Sequence, residues 1–264
     1  MTIDNKDYIL NIQTVTSSVI RTLFEVIKEV MQDFNLIVTN ESIKISNMNE
    51  QGTALVYMKM DEKNFASYYC ENTKDSPLIL GIMSHSILKI MKTIKNDDTI
   101  SFSIHRSSPR VLIIRKENGA RNTACIHYYD LCNIEYKEIN IPSIEFDAEI
   151  SLPSNTLQDT FKNYNSFDTD VIEIKSIGQQ LILSTPSALG RHDSIIGPSE
   201  KTIFDRESSQ VVQGKFKLKY LLLFSKASNL CNTVQVYLKN DKPLILSYNI
   251  GSLGEIKFII SPCV

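Results

Sequence analysis

The sequence predicts an α+β protein that consists of two domains of similar construction. Two segments have apolar residues at the spacing of an amphipathic helix, and two further segments show a weaker form of this pattern. Most of the chain between them is rich in β-branched and aromatic residues, as strands are. Because helices and strands follow in the same order in both halves, we expect one α+β unit to occur twice, with about 130 residues in each copy.

The helices are predicted from apolar residues that recur every three or four positions along one face. In the first helix, within residues 15–32, these positions are Ile20, Leu23, Phe24, Ile27, Val30 and Met31. In the second helix, within residues 84–96, they are Ile87, Ile90, Met91 and Ile94. The third helix follows Pro153, with Ser154 as its predicted N-cap, and the fourth lies within residues 219–228.

The predicted strands lie between these helices and are separated by turn-forming residues. They cover residues 54–60, 100–104, 111–115, 146–152, 171–175, 234–239, 244–248 and 256–260. Residues 43–46 resemble residues 181–184, and each of these segments comes after a predicted helix. The polar segment 132–142 is interpreted as a connector, so the predicted domains are residues 1–131 and 143–264.

Composition limits the possible classes of protein. The hydrophobic fraction of 42% can form a core, and no apolar run approaches the roughly 20 residues that a membrane span needs. The formal net charge is −2, so binding of nucleic acid would require a local basic surface. Five widely spaced cysteines indicate reduced thiols in the cytosol or nucleus, and the first residues have no apolar signal segment.

Motifs of common enzyme classes are missing from the sequence. It has neither a glycine-lysine phosphate loop nor a Gly-x-Ser-x-Gly elbow, and its four histidines lie in unrelated segments. Cys125 and His127 share a strand face near Cys132, but zinc-site spacing is absent. Residues 251–254 imitate the loop of RNA-binding KH modules, yet the flanking strand patterns favour a hairpin turn. We therefore expect no catalytic residue, metal or other cofactor; an enzyme with a dispersed site is a remote alternative.

Four segments of the chain are similar, in the same order, to segments of one protein family. The first is the helix at residues 81–92, closed by Lys95-Asn96-Asp97-Asp98, and the second is the helix at residues 218–227. The third, residues 141–154, is similar to the start of a second domain, and the fourth, residues 243–262, to a C-terminal hairpin. Together they resemble the DNA sliding clamps of the proliferating cell nuclear antigen family over essentially the whole chain.

The resemblance implies two clamp domains per chain, each with two helices packed on antiparallel sheets, and a trimeric ring of pseudo-six-fold symmetry. The implied function is that of a DNA polymerase processivity factor, which encircles duplex DNA and tethers replication and repair proteins. Implied partners are duplex DNA, DNA polymerase and other proteins with a clamp-binding motif, a clamp loader ATPase, and further copies of this chain. The implied location is the nucleus or a cytoplasmic replication site. The alternative is a clamp subunit that acts as a monomer or in a heterotrimeric checkpoint clamp.

Basic residues on the predicted helices are candidates for DNA contacts, because sliding requires positive charges that meet phosphates without reading bases. In the helix within residues 84–96, Lys89 and Lys92 lie opposite the apolar stripe, and no acidic residue interrupts their face. By the resemblance, the candidates are Arg21, Lys28, Lys89, Lys92, Lys95, Lys162, Lys219 and Lys226. An ordinary solvated helix surface is the alternative for each of them. Asp159 and Glu71 are acidic where the family is often basic, which would weaken the positive charge.

The resemblance also implies a groove into which partner proteins insert a short helical plug with aromatic anchors. Its predicted lining is Met48, Leu131, Ile134, Ile139, Ile141, Pro142, Pro243 and Ile259. Core packing is the alternative for these apolar residues, above all for Leu131 and Ile134. Gly52 and Ile259 stand where many family members have histidine and tyrosine, so the groove can prefer different partners.

Assembly into a ring would need a head-to-tail contact between copies of the chain. The resemblance places the two contacting edge strands near residues 123–131 and 191–197. The predicted interface residues are Cys125, Ile126, His127, Tyr128, Tyr129, Arg191, Asp193 and Ile195. The first segment is β-prone and free of proline, whereas the second is more polar, as a seam that opens for loading would be.

Overall fold

The computed structural model of the chain describes residues 5–139, 144–167, 169–187, 190–206 and 211–263. The chain forms two compact units. The first unit consists of residues up to Asn47, Met58–Glu138 and Ile250–Glu255, and the second consists of Met48–Tyr57, Ile139–Asn249 and the residues from Ile256 onward. Each unit therefore includes a short segment from the other half of the sequence, which the contiguous division at the predicted connector does not anticipate.

The first half of the chain has nine strands and two α-helices in the described residues. In chain order they are β1 (Tyr8–Thr14), α1 (Ser17–Val30), β2 (Asp33–Val38), β3 (Ser42–Met48), β4 (Ala54–Asp61), β5 (Ser67–Cys70), β6 (Leu78–Met83), α2 (Ser84–Met91), β7 (Thr99–His105), β8 (Val111–Asn118) and β9 (Thr123–Asp130).

The second half repeats this order element by element. It consists of β10 (Ala148–Pro153), α3 (Ser154–Tyr164), β11 (Val171–Ile177), β12 (Gln180–Ser187), β13 (Gly190–Ile196), β14 (Ile203–Arg206), β15 (Val212–Lys217), α4 (Leu218–Phe224), β16 (Thr233–Leu238), β17 (Leu244–Ile250) and β18 (Gly254–Ile260). Each half of the described chain thus has one strand, one helix, five strands, one helix and three strands, which confirms the predicted repeat.

The strands pair in antiparallel fashion in both halves. In the first half, one sheet has the order β5-β1-β7-β8-β9, while β2 pairs with both β3 and β6. In the second half, β10 pairs with both β14 and β16, and a separate sheet has the order β13-β12-β11-β15. Strands β1 and β10, which precede the first helix of each half, thus have a neighbour on both sides. Their buried residues alternate because successive side chains point to opposite faces of the sheet and one face packs on the core.

The helices form because each presents one apolar face to the core, and in each half the two helices pack on each other. The buried apolar residues are Ile20, Leu23, Phe24, Val26 and Ile27 on α1; Ile87, Leu88 and Met91 on α2; Leu157, Phe161 and Tyr164 on α3; and Leu218, Tyr220, Leu221 and Phe224 on α4. Burial of each large side chain contributes about 1.5–3 kcal/mol to folding. Among the described residues, no helix has the length and apolar character that a membrane crossing requires.

The helices are shorter or start elsewhere than predicted: α1 is Ser17–Val30, and α4 ends at Phe224, where the 3-10 segment Ser225–Asn229 follows. Helix α2 ends at Met91 because the chain then tightens: the amide of Ile94 donates to the carbonyl of Met91, three residues earlier. The prediction that Ser154 is the N-cap of α3 is wrong. Ser154 is the first helical residue, and its hydroxyl donates to the carbonyl oxygen of Cys231 at 2.5 Å, so it anchors the helix to the chain before β16.

Candidate functional site

Helix α2 carries the clearest basic surface. Lys89, Lys92 and Lys95 are exposed, and their ammonium groups make no hydrogen bond or ion pair with the part of the chain that the structure describes. Their positive charges lie in the last turn of the helix and just beyond it, where the helix dipole favours cations. A surface of this kind can contact phosphates through charge alone, without selecting a base sequence.

The turn after α2 is held in place by polar contacts. The hydroxyl of Ser17 donates to the carbonyl of Lys95 at 2.9 Å, and the amide of Lys95 donates to the carboxylate of Asp98, also at 2.9 Å. Asn118 donates to the other carboxylate oxygen at 3.0 Å. Burial by itself would raise the pKa of Asp98, but the hydrogen bonds from Lys95 and Asn118 outweigh burial and hold the pKa below its usual value. The position of Lys95 is therefore fixed by an ionised, largely buried carboxylate.

The two basic candidates on α1 have partners within the chain. The guanidinium group of Arg21 donates to the carbonyl of Ile94 and to the side-chain oxygen of Asn96, both at 2.9 Å. Arg21 thus joins α1 to the turn after α2. Lys28 forms an exposed ion pair with Glu29 at 3.1 Å, so part of its charge is compensated locally.

The basic candidates of the second half are exposed on the two helices and on the 3-10 turn after α4. Lys162 on α3 donates to Gln158 at 3.0 Å and pairs with Asp159 at 3.3 Å. The ammonium group of Lys219 lies 4.8 Å from the centre of the Tyr220 ring, within the range of a cation–π contact. Lys226 is exposed on the 3-10 turn Ser225–Asn229. Asp159, the predicted departure from the family pattern, therefore reduces the positive charge next to Lys162.

The residues predicted to line the docking groove fall in both units. Met48, Ile139, Pro243 and Ile259 belong to the second unit, where Met48 is 43% exposed and the other three are partly exposed. Partial exposure of apolar side chains is what a docking surface requires. Leu131 and Ile134 belong to the first unit and are also partly exposed. Ile141 and Pro142 lie outside the described residues.

The start of the connector is anchored within the first unit by Gly81 and Asn35, for which the sequence predicts no role. The amide of Cys132 donates to the carbonyl of Gly81 at 2.9 Å, and a Cβ atom on Gly81 would lie only 2.2 Å from the carbonyl oxygen of Cys132. The side-chain amide of Asn35 reaches the carbonyl of Glu135 at 3.3 Å. Asn35 interrupts the apolar residues of β2, and Gly81 is a glycine within the apolar strand β6, but neither residue type indicates which segment it contacts.

The two strands predicted to join neighbouring copies are both sheet edges in the structure. Strand β9 ends the five-stranded sheet beyond β8, and β13 ends the four-stranded sheet beyond β12. Their exposed apolar residues are Ile126 (44%) and Tyr128 (71%) on β9 and Ile195 (61%) on β13. Exposed apolar edge strands are sites at which another chain can add to a sheet.

Three predicted interface residues are engaged within the chain. The side chain of Tyr129 is buried, and its hydroxyl accepts a hydrogen bond from the amide of Met83 at 2.9 Å, so only its backbone lies along the edge. Arg191 and Asp193 pair with each other at 2.7 Å. Hydrogen bonds from Ser184 and then Arg191 hold the pKa of Asp193 below its usual value. The charged side chains of β13 therefore already have partners within the chain before any second chain binds.

Cys125 and His127 are close to each other on β9, with the sulfur atom 3.5 Å from Nε2 of the imidazole. Cys125 is exposed. In the described part of the chain, no group of three or more histidine, cysteine, aspartate or glutamate side chains is arranged to hold a metal ion. A pair of ligands alone does not make a zinc site.

Both halves of the chain match the same protein family. The family description "Proliferating cell nuclear antigen, N-terminal domain" matches residues 9–139, and "Proliferating cell nuclear antigen, C-terminal domain" matches residues 140–263. A relative named "Probable DNA polymerase sliding clamp 1", from Paramecium bursaria Chlorella virus 1, is 30% identical over 263 residues, which cover 98% of each chain. The proliferating cell nuclear antigen of Chaetomium thermophilum is 27% identical over 252 residues, 93% of this chain and 95% of the relative.

A solved structure shows the same fold. The crystal structure of the proliferating cellular nuclear antigen from Entamoeba histolytica superposes with a TM-score of 0.87 and 20% sequence identity, covering 97% of this chain and all of the other. Three observations indicate the same family: the order of elements repeats in the two halves, each half matches one domain of the family, and the viral relative is 30% identical. The chain belongs to the proliferating cell nuclear antigen family and carries both of its domains.

Proposed function

We propose that this protein is a DNA polymerase processivity factor, a sliding clamp that encircles duplex DNA and tethers replication and repair proteins to it. The observation that carries the proposal is the match of both family domains along nearly the whole chain, together with relatives named as DNA polymerase sliding clamps. In this role the chain is a scaffold rather than an enzyme, and a separate clamp loader ATPase opens and closes the ring.

The lysines of α2 and the turn after α4 are the proposed contacts with DNA. Lys89, Lys92 and Lys226 are exposed and can each reach a phosphate by adjusting a flexible side chain. Each phosphate that is neutralised contributes about 0.9 to the slope of log affinity against log salt concentration. A ring is held on DNA by topology, so this weak, base-independent attraction is sufficient and does not stop the sliding.

The ring is proposed to be a homotrimer closed by β9 of one copy and β13 of the next. The supporting observations are that both strands are edges and that Ile126, Tyr128 and Ile195 are exposed on them. Such a contact joins two different surfaces, so repetition of it makes a closed ring when the rotation between copies is one third of a turn. Pairing would also cover edges that otherwise promote aggregation.

Partner proteins are proposed to dock on the apolar surface formed in the second unit by Met48, Ile139, Pro243 and Ile259. These residues are partly exposed, and they come from separate parts of the chain. A DNA polymerase segment with aromatic anchors would bury them and gain most of its affinity from a few contacts. The proposed place of action is the nucleus, or a cytoplasmic replication site if the protein is viral.

Retention on DNA with blocked ends tests the proposed topology directly. A duplex is tethered to a bead at one end, the protein is added so that rings thread over the open end, and that end is then blocked with streptavidin on a terminal biotin. We expect protein to remain after a high-salt wash when the end is blocked and to leave when it is open. Equal retention in the two cases would show that the protein binds DNA without encircling it.

A further inference from the structure

The hydroxyl of Tyr220 on α4 contacts the turn that leads into β4, although the two segments are far apart in sequence. It accepts a hydrogen bond from the side-chain amide of Asn49 at 2.7 Å and one from the hydroxyl of Thr53 at 3.1 Å. It donates to the side-chain oxygen of Gln51 at 3.3 Å. A tyrosine hydroxyl has one proton to donate and accepts through its lone pairs, so this group is fully used by the turn.

The turn is itself a closed hydrogen-bonded unit. The side-chain oxygen of Asn49 accepts from the amides of Thr53 and Ala54, at 2.8 and 2.9 Å. Gly52 has a positive φ of 66°, which glycine adopts without steric cost, and its amide donates to the carbonyl of Asn49 at 2.9 Å. A side chain that holds Asn49 and Thr53 therefore holds the whole turn.

The side chain of Tyr220 is itself held in place by packing against the core of the second unit. Its side chain is 9% exposed, and its ring stacks on Phe224 with a centroid separation of 6.2 Å. Phe224 in turn stacks on the buried Phe258 at 4.5 Å. The ring therefore cannot change its position without disturbing the core of the second unit.

The turn also places a side chain of the proposed docking surface. Met48 directly precedes Asn49 and is 43% exposed. A Cβ atom on Gly52 would lie 3.9 Å from the sulfur of Met48, so the thioether rests against the turn. Methionine side chains adapt easily, and a fixed backbone below them limits the positions they sample.

We propose that Tyr220 is a positioning residue for partner binding: its hydroxyl fixes the turn from Asn49 to Thr53 and so presents Met48 in the conformation that an incoming apolar segment buries. This inference rests on the proposed docking surface. Binding is tighter when the surface is already ordered, because less freedom is lost on association. Without the hydroxyl the turn is free to move, so the entropy lost on ordering it is lost during binding and weakens the affinity.

The test uses Tyr220→Phe, which keeps the ring and its stacking but removes the hydroxyl, and Thr53→Val, which removes one of the three partners of that hydroxyl in the turn. The probe is a labelled peptide with the clamp-binding motif of a DNA polymerase, titrated against the full-length protein. We expect each variant to weaken binding about tenfold and the double variant to be no weaker than either, since both changes break one linked network. Tyr237→Phe is the matched control: its hydroxyl also donates to a side chain, Gln235, at 2.8 Å, and binding should be unchanged.

Three outcomes distinguish a failure of this inference from a failure of the proposed docking surface. If Ile139→Asp abolishes peptide binding while Tyr220→Phe and Thr53→Val bind as the unmodified protein does, Tyr220 has no positioning role. If the two effects are independent and multiply in the double variant, the network is not linked, and the inference is also wrong. Normal binding by Ile139→Asp would instead contradict the docking surface itself. Molar mass and unfolding midpoint, measured on every variant, confirm that assembly and folding are retained where binding is compared.

Discussion

The guanidinium group of Arg21 donates a hydrogen bond to the backbone carbonyl of Ile94, 2.9 Å away, and so joins α1 to the turn that follows α2. A second hydrogen bond runs to the side chain of Asn96. The position of Arg21 on a helix face predicts a DNA contact. Its hydrogen bonds give Arg21 a second, structural role, because they hold the segment that contains Lys92 and Lys95.

The replacement of Arg21 by lysine separates the DNA contact, which needs the charge, from the structural role, which needs the two hydrogen bonds. Lysine keeps the charge but lacks the planar fork that reaches two acceptors at once. We expect Arg21→Lys and Arg21→Ala to lower the free energy of unfolding by similar amounts, about 1–2 kcal/mol, in chemical denaturation. A lysine variant as stable as the unmodified protein would show that the charge, and not the two hydrogen bonds, is what matters.

Replacement of Lys89, Lys92 and Lys226 by alanine should weaken the hold on DNA without affecting folding. Exposed sites usually change stability by less than about 0.5 kcal/mol. The salt slope of DNA binding should fall by about 0.9 for each phosphate that is no longer neutralised. The matched control is the alanine triple of Lys63, Lys201 and Lys242, which are exposed outside the four α-helices; their replacement removes the same charge. An equal effect of both triples would mean that net charge alone attracts the protein to DNA.

The substitution Ile139→Asp should abolish binding of a polymerase-derived peptide, because a carboxylate would be buried under the apolar anchors at a cost of several kcal/mol. The molar mass of the protein should not change. Ile177→Asp introduces the same charge at an apolar residue that is 39% exposed on β11 and lies outside the predicted groove. Titration with the labelled peptide distinguishes the two variants, and loss of binding in both would argue against a specific groove.

Acid stability tests the buried carboxylate of Asp98, which is 7% exposed. Its pKa lies below the usual value in the folded chain, so its ionised form stabilises the fold. This contribution is complete above the unfolded pKa of about 3.9 and is lost as the pH falls through the lower folded pKa. Asp98→Asn should cost about 1–3 kcal/mol at neutral pH and should make unfolding less dependent on pH below about 4. An unchanged acid dependence would show that other carboxylates determine it.

The elements with strong periodicity could be predicted from the sequence. Ile20, Leu23, Phe24 and Ile27 of α1 are buried as their spacing indicates. The repeated order predicts a strand before the first helix but assigns it no residues; the structure places it at β1, whose sequence YILNIQT alternates in part between apolar and polar residues. Strand β5 has only four residues, SYYC, which is too short for a period to be seen.

Contacts between distant segments could not be predicted. Asn49 and Tyr220 are 171 positions apart, and nothing in either local sequence shows that an amide meets a hydroxyl. Tyr129 lies in a β-prone segment whose neighbours are exposed, but its hydroxyl bonds to Met83, so its side chain turns inward. Such pairs depend on how the folded elements are arranged, and residue patterns carry no record of that arrangement.

The proposed seam between copies depends on exposed apolar residues at two sheet edges. Ile195→Asp would place a charge on β13 where the next copy must exclude water, and it should separate the ring into folded monomers. Ile203→Asp is the control: Ile203 is 63% exposed, close to the 61% of Ile195, and also lies on an edge strand, β14. This control should leave the assembly intact.

The molar mass in solution, measured by light scattering on the unmodified protein and on both variants, shows whether three copies of the chain assemble through β9 and β13. We expect a mass of three times 30.0 kDa for the unmodified protein and for Ile203→Asp, and a mass of 30.0 kDa for Ile195→Asp. A mass of 30.0 kDa for the unmodified protein at micromolar concentration would contradict the homotrimeric ring.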